Sequence, residues 1–119
     1  MARYRIYVAE AAQKELKKLG RDAAQAIVAQ IEKKLGEDPR AYGRPLTGDL
    51  SGYFRLRVTG YRVVYRVIDE KVWVVVLAAG KRDDGNVDNI YDWLTGDLLS
   101  KRLEALVRQM ENDESEDGR

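Results

Sequence analysis

The chain has 119 residues, 45% hydrophobic and 34% charged, enough for one core in one domain and too rich in aliphatic residues for a disordered chain. It contains no cysteine and no histidine, which excludes disulfides, thiolate nucleophiles, a histidine base and the commonest metal ligands. The longest apolar run, Val72 to Ala79, has eight residues, too short for a membrane span, and MARYRIYVAE lacks a signal-peptide core, so a cytoplasmic protein is expected.

The net charge of +1 is unevenly spread. The last nine residues hold five acids and one base, so residues 1–110 carry 20 bases against 15 acids. No acid lies between Asp49 and Asp69, where Arg55, Arg57, Arg62 and Arg66 all fall. A field of one sign suits a polyanion such as RNA or DNA, or an acidic protein partner.

In chain order, RYRIYV over 3–8 alternates as a first strand. From about Glu10 to Leu19, Ala12, Leu16 and Leu19 share a helical face, and Gly20 stops the helix. Asp22 and Gln25 have capping-box spacing, and Ala24, Ile27, Val28, Ile31 and Leu35 keep helical periodicity up to Gly36. Pro39 is read as ending helical structure, with Ala41 to Gly52 a long Gly/Pro loop. Three strands follow across short turns: Tyr53 to Val58, Tyr61 to Ile68, and the wholly apolar Val72 to Ala79. Asp83 to Asn89 reads as a loop. Leu99, Leu103, Leu106, Val107 and Met110 form one stripe of an amphipathic helix over 97–110, ahead of a disordered acidic tail at 111–119. The order predicts an α+β domain: an antiparallel sheet, β-α-α-β-β-β, with a helical hairpin on one face and an extra C-terminal helix.

Strand alternation sets Arg55 and Arg57, and Arg62 and Arg66, on the face away from the helices, with Lys81 and Arg82 arriving at the end of the next strand. Cations converging beside Tyr53 and Tyr91 would grip phosphates and stack on bases. The alternative for each is ordinary: Arg62 pairing with Asp69 or Glu70, and Arg82 with Asp83 or Asp84, as surface ion pairs of little energetic weight. Tyr61, Tyr65 and Trp73 read as core aromatics, and Trp93 as packing a loop onto the sheet. Asp83 and Asp84 lack a third ligand of matching spacing, so no metal and no cofactor is expected.

The loop PLTGDLSG (45–52), the strand pair YFRLRVTGYRVVY (53–65), the turn IDEKV (68–72) and the strand end GKRDDG (80–85) together resemble the RelE/ParE toxin superfamily, over about residues 3–92. The resemblance divides the chain into a RelE-like toxin domain (1–96), the helix and the tail. It implies a toxin of a type II toxin–antitoxin system: a ribosome-dependent mRNA endonuclease that acts on mRNA in the ribosomal A site and is held inactive by a RelB-like antitoxin. It assigns Arg62 to the phosphate and transition state, Arg82 to the leaving group, and Arg55 to the position where the RelE branch has a lysine base. Arg57, Lys81, Arg66 and Tyr91 would bind RNA. Arginine is a poor base, so Lys81, Asp83 or Asp84 stands as its alternative. Asp88 stands where the family carries a tyrosine, and Tyr91, three residues on, is the candidate replacement. The alternative functions are a ParE-like toxin that poisons DNA gyrase without cutting RNA, and a catalytically degenerate binding module.

Overall fold

A computed structural model of the protein describes residues 3–82 and 89–117, with side chains to residue 112. Strand β1 (Arg5–Val8) leads into helices α1 (Glu10–Lys18) and α2 (Arg21–Gln30), the latter continuing as a π turn over Ile31–Leu35. A short helix α3 (Pro39–Tyr42) and a two-residue strand β2 (Arg44–Pro45) precede the hairpin β3 (Phe54–Val58) and β4 (Tyr61–Ile68). Strand β5 (Trp73–Lys81), a single helical turn α4 (Ile90–Trp93) and helix α5 (Gly96–Asp117) complete the chain.

The five strands form one sheet in the order β1-β5-β4-β3-β2. The predicted antiparallel meander is present from β3 to β5, whereas β1 lies parallel to β5, Arg5 opposite Trp73 and Val8 opposite Val76. The sheet is therefore mixed: the helices between β1 and the hairpin supply the crossover that parallel pairing needs. Central β5 is buried from Val74 to Gly80, as its unbroken apolar sequence requires.

Several local expectations are corrected. Gly20, at φ 100°, separates α1 from α2, and with α2 beginning at Arg21, Asp22 lies inside the first turn and makes no side-chain cap. Its charge there still complements the helix dipole. Ile27, Ile31 and Leu35 are fully buried, but Val28, one residue off that row, is 37% exposed. Pro39 begins a helix instead of ending one: it occupies the first turn, where its missing N–H is no loss, and Asp38 caps the turn by accepting from the Ala41 N–H at 3.1 Å. The segment read as a loop carries β2, whose Pro45 is tolerated because β2 is an edge strand. Val72 sits in the left-handed region at φ 58°, closing the turn before β5, so the strand starts at Trp73. Helix α5 runs seven residues beyond the predicted 110, to Asp117. Among the described residues no helix is long and apolar enough to cross a membrane.

Candidate functional site

Residues directly opposite in an antiparallel pair put their side chains on the same face. Arg57 stands opposite Arg62, and Arg44 opposite Arg55, so two like-charged pairs share one face of the sheet. Arg55 lies diagonal to Arg62, a spacing of about 7–8 Å in such ladders. Like charges in facing positions oppose folding. The half-buried Arg62 donates to the Tyr61 carbonyl at 2.9 Å. Burial, then the neighbouring Arg57, Arg55 and Arg82, lower its pKa below the ordinary arginine value, with Tyr91 acting in the opposite direction. The field around Arg62 is thus made by four of the residues singled out from the sequence.

Strand β5 and the chain beyond it bring the other components. Its Gly80 is opposite Arg62, and the Arg82 N–H donates to the Gly60 carbonyl at 3.0 Å, pinning the strand end beside the β3–β4 turn. Asn89 bridges in parallel to Lys81 and caps α4, its side chain accepting from the Tyr91 N–H at 3.2 Å. A Cβ on Gly80 would come within 3.1 Å of Ile90 Cβ, so the bare glycine lets buried Ile90 seat against the strand. That seating delivers Tyr91, whose ring lies 5.7 Å from the Arg82 guanidinium carbon.

Not every predicted residue joins this group. Arg66 is on the same face but four residues along β4 from Arg62, about 13 Å at strand rise, and its guanidinium lies over the Tyr53 ring at 5.4 Å. Tyr53 is buried, with its hydroxyl 3.3 Å from Ser100 Oγ of α5, and its contact with the predicted arginines is to Arg66, not to the group around Arg62. Lys81 is opposite Tyr61, and alternation turns its side chain to the other face from Arg62. Asp83, Asp84 and Asp88 lie outside the described residues. Arg44 was missed because its segment read as loop.

Also missed was the group that anchors α5. Because β1 ends opposite Val76, the Ala79 N–H has no strand partner on that side, and Glu15 of α1 accepts from it at 3.2 Å. The β4–β5 register slips between Val64 and Tyr65, leaving Leu77 unmatched; its carbonyl accepts from Arg102 at 2.9 Å. Arg102 also grips both Glu15 carboxylate oxygens, at 2.9 and 2.8 Å, and lies over the Trp93 ring at 5.6 Å. One α5 side chain thereby ties together α1, β5 and α4. An 87-residue separation leaves no local pattern from which to foresee it.

Comparison with known proteins agrees with this architecture. A family model described as the ParE toxin of the type II toxin–antitoxin system parDE matches residues 6–84. The mRNA interferase toxin RelE of Escherichia coli is 44% identical over 82 residues, covering 66% of this chain and 82% of that protein. Toxin RelG of Mycobacterium tuberculosis is 33% identical over 68% of this chain and 93% of its own length. Among solved structures, the toxin–antitoxin complex RelBE2 of Mycobacterium tuberculosis contains a chain with a TM-score of 0.67 and 33% identity, covering 71% of this chain and 97% of that one. The isolated Escherichia coli RelE toxin gives a TM-score of 0.58 at 35% identity, over 71% and 89% of the two chains. With its sheet, its arginine-bearing hairpin and most of its length accounted for in this way, the chain belongs to the RelE/ParE family of toxins from type II toxin–antitoxin systems.

Proposed function

We propose that the protein is a RelE-type mRNA interferase, which cuts mRNA in the ribosomal A site and is restrained by a RelB-like antitoxin. The observation carrying this reading is the gathering of Arg55, Arg57 and Arg82 around Arg62, with Tyr91 alongside. The 44% identity to an mRNA interferase agrees with it.

In the reaction, the ribose 2′-hydroxyl gives its proton to water and its oxygen attacks the adjacent phosphorus, the P–O5′ bond breaks, and the departing 5′-oxygen takes a proton from water. The products are a 2′,3′-cyclic phosphate and a 5′-hydroxyl. Charge on the phosphorane is the main obstacle, and fixed guanidinium forks meet it directly, each such donor contributing roughly 10²–10³ in rate. Arg62 holds the non-bridging oxygens; Arg82 stabilises the departing oxygen; Arg55 and Arg57 neutralise the flanking phosphates; Tyr91 stacks on a base. The same basic face receives an acidic antitoxin, as charge complementarity favours.

The test adds purified protein to ribosomes programmed with a defined mRNA and maps new ends by primer extension. Discrete cuts are expected within codons at the A site, abolished in Arg62→Ala and Arg82→Ala proteins that retain wild-type melting. Uncut mRNA, together with accumulation of gyrase–DNA cleavage complexes, would replace this reading by the gyrase-poison one, which the ParE description of the matching family model favours.

A further inference from the structure

Beyond Val76 β1 no longer pairs with β5, and that stretch is met only in part, by Glu15, Arg102 and Asn89. What remains is a cavity of about 440 Å³ between the end of α1, the end of β5 and α4, bordered by Lys18, Leu19, Ala79, Gly80, Lys81 and Trp93. That volume falls in the range of small-ligand sites. The family resemblance assigns nothing to Lys18 or Trp93.

Three features specify what fits. The first is charge: the Glu15 carboxylate at the cavity is engaged through both oxygens by Arg102, so that among the described lining residues the exposed Lys18 and Lys81 ammonium groups set the local field. Next is the wall: Trp93 is held by Arg102, itself fixed to Glu15 and the Leu77 carbonyl, so the indole is pre-positioned. Last is continuity: Lys81 borders both this cavity and a shallow depression formed with Thr59, Gly60, Tyr61 and Arg82, which leads to the arginine group. Two cations and an aromatic wall, joined to a phosphate-gripping surface, are the makings of a single-strand nucleotide seat.

We infer that this cavity seats a nucleotide flanking the scissile phosphate, its base stacked on Trp93 and its phosphate held by Lys18 and Lys81. The inference deepens the RNA-cleaving reading and rests on it. Strand alternation thus gives Lys81 a use that the arginine face does not: it carries the RNA around the end of β5.

The experiment has a binding arm and a cleavage arm. In a Trp73→Phe background, Trp93 is the sole remaining tryptophan, and titration with an uncleavable 2′-O-methyl RNA hexamer reports stacking as fluorescence quenching. Saturable quenching is expected. Lys18→Gln and Lys81→Gln should each weaken binding and reduce the slope of log K against log salt by about 0.7, and Trp93→Leu should weaken it by about 5- to 100-fold. Lys14→Gln, at a position paired with Glu10, should bind as wild type. On programmed ribosomes, Lys18→Gln should raise KM with little change in kcat, and Trp93→Leu should alter the preferred cleavage sequence.

Absence of quenching, or wild-type hexamer affinity in both lysine variants, overturns the proposal, as does a loss confined to antitoxin affinity, which would assign the cavity to the protein partner. If wild type cleaves mRNA and Lys18→Gln and Trp93→Leu cleave with unchanged KM and preference, the nucleotide seat is wrong and the interferase reading stands. If nothing is cleaved but the lysine-dependent quenching persists, the cavity binds a nucleotide, while the interferase reading, and with it the place of that nucleotide beside a scissile phosphate, fails. Should Trp93→Leu not fold, Lys18→Gln, at an exposed helix position, decides the matter.

Discussion

Replacing Arg102 with methionine probes whether α5 is an integral part of the domain. The substitution removes three charge-assisted hydrogen bonds, two to Glu15 and one to the Leu77 carbonyl. It also leaves Glu15 with an uncompensated charge and Leu77 with an unsatisfied acceptor. Breaking a fully buried pair costs about 3–5 kcal/mol; here the side chains are 15% and 18% exposed, so water recovers part, and about 2–3 kcal/mol is expected. For a domain of this length the melting temperature should fall by about 10 °C. Glu15→Gln is milder, about 1–2 kcal/mol, since its amide oxygen still accepts from the Ala79 N–H. Urea unfolding followed by far-ultraviolet circular dichroism, on both single variants and the double variant, closes a thermodynamic cycle with a coupling of about 1–2 kcal/mol. Single losses below about 0.5 kcal/mol with additive behaviour would show that α5 merely rests on the sheet, and the reasoning would fail.

Three further outcomes follow from the geometry. Arg57→Gln relieves a like-charged facing pair, so stability should rise by a few tenths to about 1 kcal/mol while affinity for single-stranded RNA falls, read by chemical denaturation and filter binding on the same sample. Gly80→Ala forces Ile90 outward by a few tenths of an ångström; overpacking of this kind costs about 1–3 kcal/mol, and displacement of Tyr91 should lower cleavage further than the loss of folded protein explains. Burial holds the Tyr65 phenol well above its ordinary range, so the folded protein keeps a proton that the unfolded chain releases near pH 10. This stabilisation is complete below about pH 10 and lost progressively above it, and Tyr65→Phe should flatten the alkaline decline while losing about 1 kcal/mol at neutral pH through its missing bond to the Pro39 carbonyl.

What the sequence made legible follows from how local each cause is. The hairpin of β3 and β4 could be read because alternation and a two-residue turn fix strand, face and register together, and Arg55, Arg57 and Arg62 went to one face for that reason. The apolar run of β5 marked a central strand, although its first residue, Val72, belongs to the turn. The parallel pairing of β1 was not legible, since direction depends on the crossover and not on the strand's own composition. Pro39 misled because the same residue starts a helix or stops one according to whether a capping side chain precedes it, and here Asp38 does. Arg44 escaped because a two-residue edge strand has no periodicity to detect. The Glu15–Arg102 anchor has no sequence signature at all: it answers backbone groups exposed by where β1 ends and where β4 slips against β5, both consequences of the assembled sheet.

The arginine face also explains why this fold needs a rigid far side. Two facing guanidinium pairs, Arg44 with Arg55 and Arg57 with Arg62, push against the pairing of β2, β3 and β4. The opposition is met by the dry packing of Leu56, Val63, Tyr65 and Val76, each at most 1% exposed, and by the anchoring of α5 on β5 and α1. A polyanion on the hairpin would remove the repulsion and recover energy that the free protein withholds, so under the proposed function an RNA substrate and an acidic antitoxin segment would draw on the same source of affinity. Competition between them would then be a property of the charge layout itself. A mutation that quiets the repulsion should weaken both partners together, whereas one in the cavity of Lys18 and Trp93 should weaken RNA alone.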